Sequence, residues 1–397
     1  MRSVRPLAAE EVPGLLTLTT LVFTGAPPPL DAVTERAAVL DPGRALGVFE
    51  DGALVGGGRC ETMPLSVPGG RLPAACHSGI AVLPTHRRRG VLTAVMGRQL
   101  EDARGRGEPL AALFASEGAI YARYGFGVAT YEAHVRVARH RSAFRAPADL
   151  AGLRLASFGD ALEAMLAVVD RVVPGLPGAV RRPDAWWRYA AASRPPGDVP
   201  WEVVLRAEGD GFAAYERAVE GEIPTLDGGA LRVHWLLAAT PAAEAALWRY
   251  CLDVDLIDQV VSRARPLETP LRHLLADPRA LETTAWDGLW LRLLDVEAAL
   301  AGRTYANAAG AVRLEVEDAF CPWNAGTYEV GEGGCRRVAG PADLALAADA
   351  LAACYLGGNR FTTLVDAGRV EERSSGAAER ADVLFAAPRP PWSPFHF

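Results

Sequence analysis

The pattern of apolar and polar residues predicts an alternation of strands and helices over residues 1–145. A helix over 7–21 precedes strands over 45–49, 53–61 and 75–83, a helix over 89–106, a strand over 110–115, a short helix over 116–124 and a strand over 126–138. The helix over 89–106 keeps its apolar residues near one face at helical spacing, and Gly, Pro and Asp mark the turns between strands.

Residues 146–286 are predicted to repeat this order. Helices over 160–171 and 184–192 are followed by strands over 203–207, 211–217 and 231–237 and by a helix over 241–252. The junction between the last strand and the last helix, Ala239-Thr240-Pro241, carries neither Gly nor Arg. We interpret this segment as a degenerate second copy without a ligand-binding turn.

The third segment, residues 287–397, is predicted to mix helices over 295–301 and 341–355 with strands over 311–316, 326–330 and 383–385. It ends in a Pro-rich and aromatic tail that finishes at Phe397. No low-complexity linker separates the three segments, which indicates that they pack against one another. The patterns therefore predict an α/β (α+β) chain with domains at 1–145, 146–286 and 287–397.

Composition narrows the class of protein. Of the 397 residues, 50% are apolar and 22% are charged, which excludes a disordered chain. The net charge of −7 argues against a general nucleic-acid binder. Since no apolar run reaches the roughly 18 residues of a transmembrane helix and none of signal length follows the N-terminal Met, we expect a cytoplasmic protein without a membrane partner.

The cysteine pattern predicts no metal centre. Six cysteines occur, at positions 60, 76, 251, 321, 335 and 354, and none forms a C-x-x-C pair. No His lies at zinc-ligand spacing to them. We therefore expect buried, reduced thiols.

A basic turn between a strand and a helix is the clearest chemical signal. The apolar strand residues Ile80, Ala81 and Val82 lead to a turn with three arginines and a glycine, after which a helix begins; the turn and first helical residue are Arg87, Arg88, Arg89, Gly90 and Val91. A helix N-terminus offers unpaired N–H groups, Gly permits a close approach of the backbone, and Arg adds donors shaped for phosphate. The turn therefore predicts an anion site, which is neither a P-loop nor a Rossmann fingerprint.

This turn resembles the acetyl-CoA pyrophosphate loop of the GNAT acetyltransferases, with the pattern [Q/R]-x-x-G-x-[G/A]. Leu92 stands here in place of the last small residue. The segment Ser116–Gly127, with its Tyr124-Gly125-Phe126-Gly127 sequence, closely resembles the enhanced intracellular survival (Eis) family, which shares that leucine. The resemblance returns at residues 287–296 and at the terminal Phe397, and it covers essentially the whole chain.

The resemblance implies a layout and an activity. The layout is two GNAT-type mixed-sheet domains in tandem and a C-terminal α+β domain similar to sterol carrier proteins, assembled as a homohexamer. The activity is acetyl transfer from acetyl-CoA, without a metal, to primary amines of a polar cationic small molecule such as an aminoglycoside.

The resemblance also implies roles for residues of this chain. Ile80, Ala81 and Val82 would pair with the pantetheine arm, the turn from Arg87 to Val91 would hold the phosphates, and Ser116 would border the cofactor. Tyr121 would be the general acid, and the terminal carboxylate of Phe397 would be the base.

Alternatives stay open for the acceptor and for the function. Phe23, Asp31 and Glu35 are candidate acceptor-binding residues, and Asp31 or Glu117 would be the next candidate base. A small-molecule or lipid carrier with a vestigial acetyl-CoA site is one alternative function. Acetylation of protein or peptide amines is another.

Overall fold

The computed structural model describes residues 2–192, 201–219, 229–306 and 310–397. The elements up to residue 138 are β1 (Arg2–Pro6), α1 (Val12–Thr24), α2 (Leu30–Ala37), β2 (Ala45–Glu50), β3 (Ala53–Val67), β4 (Gly70–Val82), α3 (Val91–Gly105), β5 (Leu110–Phe114), β6 (Gly127–Val128) and β7 (Tyr131–Ala138). Next come β8 (Leu153–Ser157), α4 (Phe158–Val172), α5 (Asp184–Ala192), β9 (Glu202–Arg206), β10 (Gly211–Val219), β11 (Gly229–Ala238), α6 (Pro241–Asp253), β12 (Gln259–Arg265), α7 (Leu271–Leu274) and β13 (Leu281–Asp287). The last are β14 (Leu289–Leu293), α8 (Val296–Ala301), β15 (Val312–Glu317), β16 (Gly326–Gly331), β17 (Gly334–Val338), β18 (Leu344–Ala347), α9 (Ala348–Cys354), α10 (Phe361–Asp366), β19 (Val370–Glu372) and α11 (Ala377–Phe385).

The first two sheets share one layout. Their strand orders are β1-β2-β3-β4-β5-β14-β6 and β8-β9-β10-β11-β12-β7-β13. In each sheet four antiparallel strands lead to one parallel pair, β4 with β5 and β11 with β12. Antiparallel strands complete both sheets. The observed repeat agrees with the repeated order of elements in the apolar pattern.

The two sheets exchange their sixth strands. β7 follows β6 after two residues but lies in the second sheet, and β14 follows β13 after one residue but lies in the first. The two crossings run side by side, with Ala129 N donating to Leu289 O at 2.9 Å and Leu289 N donating to Thr130 Oγ1 at 2.8 Å. The first sheet therefore contains β14, which follows the strands of the second sheet along the chain, and the second sheet contains β7, which follows β1 to β6 of the first.

The third sheet, in the order β17-β16-β15-β18-β19, packs its core onto the first domain. One buried apolar cluster contains Leu110 and Leu291 of the first sheet, Leu314 and Leu346 of the third, and Phe385 of α11. No helix among the described residues combines the length and the apolar character that crossing a bilayer needs. The six cysteines are all free thiols, and five of them are buried.

Sheet pairing corrects several predicted elements. The predicted strand over 126–138 is two strands in two sheets, and the predicted helix over 116–124 is a turn with one 3-10 segment at Ala122–Tyr124. The predicted helix over 341–355 begins only at Ala348, because β18 pairs with β15 and β19. Residues 383–385 end a helix and form no strand, and residues 2–6 form β1 beside β2 where no strand was predicted. Pairing partners distant in sequence thus override local propensity.

The glycines of the Tyr124-Gly125-Phe126-Gly127 sequence let distant elements approach closely. Gly125 has φ of 80°, and a Cβ there would overlap Nη1 of Arg292, which lies on β14. A Cβ on Gly127 would overlap the carbonyl oxygen of Asp349 on α9. Arg292 is fully buried and donates to both carboxylate oxygens of Asp318, at 2.9 and 2.7 Å. The two sequence stretches that carry the family resemblance therefore meet in space.

Candidate active site

A cleft opens where β4 and β5 separate. The two strands pair only where residues 74–76 face residues 110–112. β5 pairs with β14 on its other side along its whole length, and β4 continues beside β3 to Val82, with Ala81 opposite Gly57. Among the described strands, the part of β4 beyond Cys76 therefore has a neighbour on the β3 side but none on the β5 side. Such an edge offers N–H and C=O groups to an extended ligand that carries amides, as pantetheine does.

The basic turn lies at the N-terminus of α3, next to this cleft. Gly90 caps the 15-residue helix in a left-handed conformation, with φ of 78° and no side-chain cap. Arg87, Arg88 and Arg89 are all exposed, and Arg88 has φ of 60°, which is uncommon for a residue with a side chain. The free N–H groups, the positive helix end and three guanidinium groups fit a phosphate-bearing ligand.

The corresponding helix of the second domain, α6, has a closed N-terminus. Thr240 Oγ1 accepts a hydrogen bond from Ala243 N at 3.1 Å, and Pro241 has no N–H group to offer. Thr240 is itself held by Asp210, to which its hydroxyl donates at 2.8 Å. The second domain thus keeps the strand and helix layout but lacks an open anion site at α6.

Tyr121 lies in the turn that follows β5. It is 7% exposed and belongs to the apolar cluster that Ile80 of β4 packs against, with its ring edge-on to Phe126 at 6.1 Å. Burial raises the pKa of Tyr121 to about 12. The hydroxyl forms no hydrogen bond with another residue in the part of the chain that the structure describes. Ser116, the other candidate in this turn, is exposed just after the end of β5.

The C-terminal tail is anchored in the second domain. Trp392 Nε1 donates to Ala264 O at 2.8 Å, and Trp392 N donates to Pro177 O at 2.8 Å. Phe395 is 1% exposed and packs edge-on against Trp187 at 5.0 Å. The tail is thus packed up to the residues immediately before the terminus.

These anchors bring Phe397 across the cleft between β4 and β5. Ser78 Oγ on β4 donates to a carboxylate oxygen of Phe397 at 3.2 Å, and the Phe397 ring contacts Phe114 of β5 at 5.1 Å. The preceding residue, His396, stacks on Phe114 at 4.0 Å and bonds through Nε2 to Glu132 Oε2 at 2.8 Å. The terminal carboxylate therefore faces the site where the two strands part.

Two adjoining cavities extend from this carboxylate and together form what we call the acceptor pocket. One is narrow and is lined by Phe397, Ser78 and Glu61, and the other is wider, partly open to solvent and lined by Phe23. Three residues line both cavities and join them: Arg36, Arg59 and Tyr189.

The structure separates the three candidate acceptor-binding residues. Phe23 lines the pocket, whereas Asp31 and Glu35 are exposed on α2 and do not line it. Asp31 instead accepts a hydrogen bond from Ala32 N at 2.9 Å. α2, a helix that the sequence analysis did not predict, contributes Arg36 to the pocket.

Sequence reasoning missed the charged lining of the pocket. Arg59 and Glu61 are two residues apart on β3, so their side chains point to the same face of the sheet. The signal was available, since these are the only two charged residues between Ala53 and Val67. Arg36 and Tyr189 come from helices distant in sequence, and no local pattern connects them with β3.

Comparisons with known proteins agree with this geometry. Residues 3–129 match an acetyltransferase (GNAT) domain family, residues 178–293 match a second acetyltransferase (GNAT) domain family, and residues 296–394 match the sterol carrier protein domain family. The fold and the cleft thus define a GNAT N-acetyltransferase with an appended sterol-carrier-type domain.

Full-length relatives identify the family. The N-acetyltransferase Eis of Mycobacterium tuberculosis is 34% identical over 411 residues, which cover 98% of each chain. An uncharacterized N-acetyltransferase of Streptomyces coelicolor is 41% identical over 393 residues, or 94% of each chain. The crystal structure of Eis1 from Mycobacterium abscessus is 37% identical and matches both chains in full with a TM-score of 0.90. The chain belongs to the Eis family of GNAT N-acetyltransferases.

Proposed function

We propose that this enzyme transfers the acetyl group of acetyl-CoA to a primary amine of a polar small molecule, and aminoglycosides are the acceptor class that the family resemblance implies. GNAT acetyltransferases use acetyl-CoA as co-substrate, and it supplies the acetyl thioester. The main support is the carboxylate of Phe397, which lies at the parting of β4 and β5 and lines the acceptor pocket.

The residues of the cleft suit the binding of acetyl-CoA. The free edge of β4 at Ile80, Ala81 and Val82 would pair with the pantetheine amides, and Ser116 would border the thioester. The open end of α3, from the arginine triplet through Gly90 to Val91, would hold the phosphates.

Phe397 and Tyr121 divide the proton transfers between them. The carboxylate of Phe397 accepts a proton from the acceptor ammonium, which leaves a neutral amine to form the new C–N bond while the thioester C–S bond breaks. Tyr121 Oη donates its proton to the departing sulfur, and the resulting tyrosinate takes up the second proton that the attacking nitrogen loses as the amide forms. With its pKa raised to about 12, Tyr121 keeps that proton throughout the neutral pH range. No covalent enzyme intermediate is needed, since the amine displaces the thiol directly.

Release of free thiol from acetyl-CoA, measured with polyamines, aminoglycosides and a lysine-containing peptide, tests this function. The narrow cavity beside the carboxylate of Phe397 suits a small amine, so we expect turnover with small amines first. Absence of thiol release with every amine would contradict the proposal, and exclusive turnover of the peptide would indicate the protein-directed alternative.

Tyr121→Phe tests the acid. The change removes one hydroxyl that bonds to no described residue, so we expect folding and acetyl-CoA affinity to persist while kcat falls by about 100- to 10,000-fold. Tyr124→Phe is the matched control, because it also removes one tyrosine hydroxyl from this turn. That hydroxyl forms a hydrogen bond with Thr93 Oγ1 at 3.1 Å and has no proposed role in proton transfer, so kcat should change little. If Tyr121→Phe turns over within about threefold of the wild type, the acid lies elsewhere.

The homohexamer that the resemblance implies is part of the same proposal. Mass photometry of the purified enzyme tests it directly, and a particle with the mass of one chain would contradict it.

A further inference from the structure

The charges that line the acceptor pocket are balanced in an unusual way for a site that receives a polycation. Arg36 and Arg59 line both cavities, and Glu61 and the carboxylate of Phe397 line the first one. Among the described residues, two guanidinium groups and two carboxylates give a lining with no net charge. A single ammonium therefore gives the occupied pocket one positive charge, and each further ammonium adds another in a partly desolvated site.

Neither guanidinium is neutralised by a carboxylate side chain. In the part of the chain that the structure describes, the Arg36 guanidinium forms no hydrogen bond or ion pair and lies over the Tyr189 ring, with Cζ 5.8 Å from its centroid. No Asp or Glu oxygen of the described residues lies within 4.0 Å of either guanidinium. Arg59 Nη2 donates to Ser78 Oγ at 2.9 Å, and its Nε is buried without a hydrogen-bond partner. Because Arg36 and Arg59 line the pocket, their guanidinium groups are donors available to an oxyanion bound there.

One further cation, Arg182, lies beside the pocket. Arg182 is 5% exposed and does not itself line the pocket. It stacks on Trp186, which does, with Cζ 3.5 Å from the ring centroid. Burial lowers the pKa of Arg59 to about 10, and the charge of Arg36 contributes to the decrease, while Glu61 opposes it. Each additional cation in this region meets the same repulsion.

Arg59 also lies close to the proposed base. Arg59 Nη2 and a carboxylate oxygen of Phe397 both bond to Ser78 Oγ, at 2.9 and 3.2 Å, so they are separated by no more than the sum of those distances. A ligand that spans the two positions needs only a short spacer. Tyr189 and Trp186 present aromatic faces to that spacer.

We infer that the acceptor carries an acidic oxyanion, a carboxylate or a phosphate, besides its reacting primary amine. Arg36 and Arg59 bind the oxyanion, and Phe397 receives the amine. An acceptor of this kind is neutral or nearly so overall and leaves the pocket without surplus charge. The inference rests on the proposed function. It narrows the acceptor from any polar small molecule with a primary amine to those that carry an acidic group as well.

Matched amines test the inference with the full-length enzyme and acetyl-CoA. One series is 3-(aminomethyl)benzoate, benzylamine and 1,3-bis(aminomethyl)benzene, and another is 4-aminobutanoate, butylamine and 1,4-diaminobutane. Within a series the amine is the same and only the second substituent changes from acidic to neutral to cationic. We expect kcat/KM for the acidic member to exceed that of the neutral member by about 10- to 100-fold, with the diamine slowest. O-phosphoethanolamine against ethanolamine distinguishes a phosphate from a carboxylate.

Charge reversal at Arg36 supplies the second arm. Arg36→Glu is expected to abolish the preference for the acidic member and to raise kcat/KM for the diamine, while the affinity for acetyl-CoA, measured by calorimetry, stays the same. Arg154→Glu is the matched control, because it changes the net charge by the same amount at an exposed position on β8 of the second sheet.

The outcomes distinguish failure of the proposed function from failure of the acidic-acceptor inference. If no amine in either series releases thiol, the proposed function itself fails. If amines are acetylated but the diamine or an aminoglycoside is preferred, or if Arg36→Glu leaves the preference unchanged, the function stands and the acidic-acceptor inference is overturned.

Discussion

Extension of the chain beyond Phe397 is the most direct perturbation of the proposed mechanism. One appended residue converts the terminal carboxylate into an amide, which cannot accept a proton at neutral pH, and it adds bulk at the parting of β4 and β5. Loss of a general base lowers kcat by about 100- to 10,000-fold. The tail remains anchored by Trp392 and Phe395, so the fold should be kept.

Deletion of Phe397 tests position instead of chemistry. A carboxylate then ends the chain at His396, but it is withdrawn by about 3.5 Å, the length of one extended residue. His396 is held by its bond to Glu132 and by stacking on Phe114, so the backbone cannot slide forward to compensate. Since misplacement by about 1 Å can cost about 100-fold, we expect the deletion to be as inactive as the extension.

Phe397→Ala is the control that separates the ring from the carboxylate. It keeps the carboxylate at its place in the chain and removes the ring, which contacts Phe114 at 5.1 Å and packs at the edge of the core cluster. Loss of one half-buried aromatic contact is worth about 1 kcal/mol, so kcat should fall by about tenfold or less.

Thiol release measured for the three variants beside an N-terminally tagged wild type gives the answer, with thermal unfolding and calorimetric acetyl-CoA binding as checks on integrity. Extended protein that turns over as fast as the wild type would refute the terminal-carboxylate mechanism. Because Asp31 lies outside the pocket and Glu117 is exposed, Glu61 would then be the next candidate base.

Three further predictions concern binding and stability. Arg88→Ala should weaken acetyl-CoA binding by about 1–3 kcal/mol in calorimetry, whereas Arg98→Ala, with the same charge change on exposed α3 surface, should not. Gly125→Ala should destabilise the protein by about 3–5 kcal/mol in denaturant unfolding, because its Cβ would displace a buried ion pair, whereas Gly118→Ala, where the nearest atom is 3.5 Å away, should be nearly neutral. Burial lowers the pKa of His77 from 6.5 to about 4, so the unfolded chain binds this proton more tightly than the folded chain does. The free energy of unfolding should therefore fall by about 3 kcal/mol as the pH drops from 6.5 to 4. His77→Gln should remove this part of the pH dependence, as measured by denaturant unfolding at a series of pH values.

The sequence by itself determined what depends on local spacing. The N-terminus of α3, with Arg87 and Gly90 beside an apolar strand, is readable because a helix start and its turn are built from consecutive residues. The repeated order of strands and helices, and the absence of an open turn before α6, follow from local patterns in the same way.

Tertiary structure decided which distant residues share a site. β7 and β14 exchange sheets through pairings far apart in sequence, so the single strand predicted over 126–138 divides between two sheets. The acceptor pocket is formed by α1, α2, β3, β4, α5 and the last residue of the chain. Its charge pattern depends on the placement of Arg36, Arg59 and Glu61 around Phe397, which no local sequence pattern predicts. Apolar periodicity specifies which face of an element is buried but not what lies opposite that face, because the partner is chosen by packing over the whole chain.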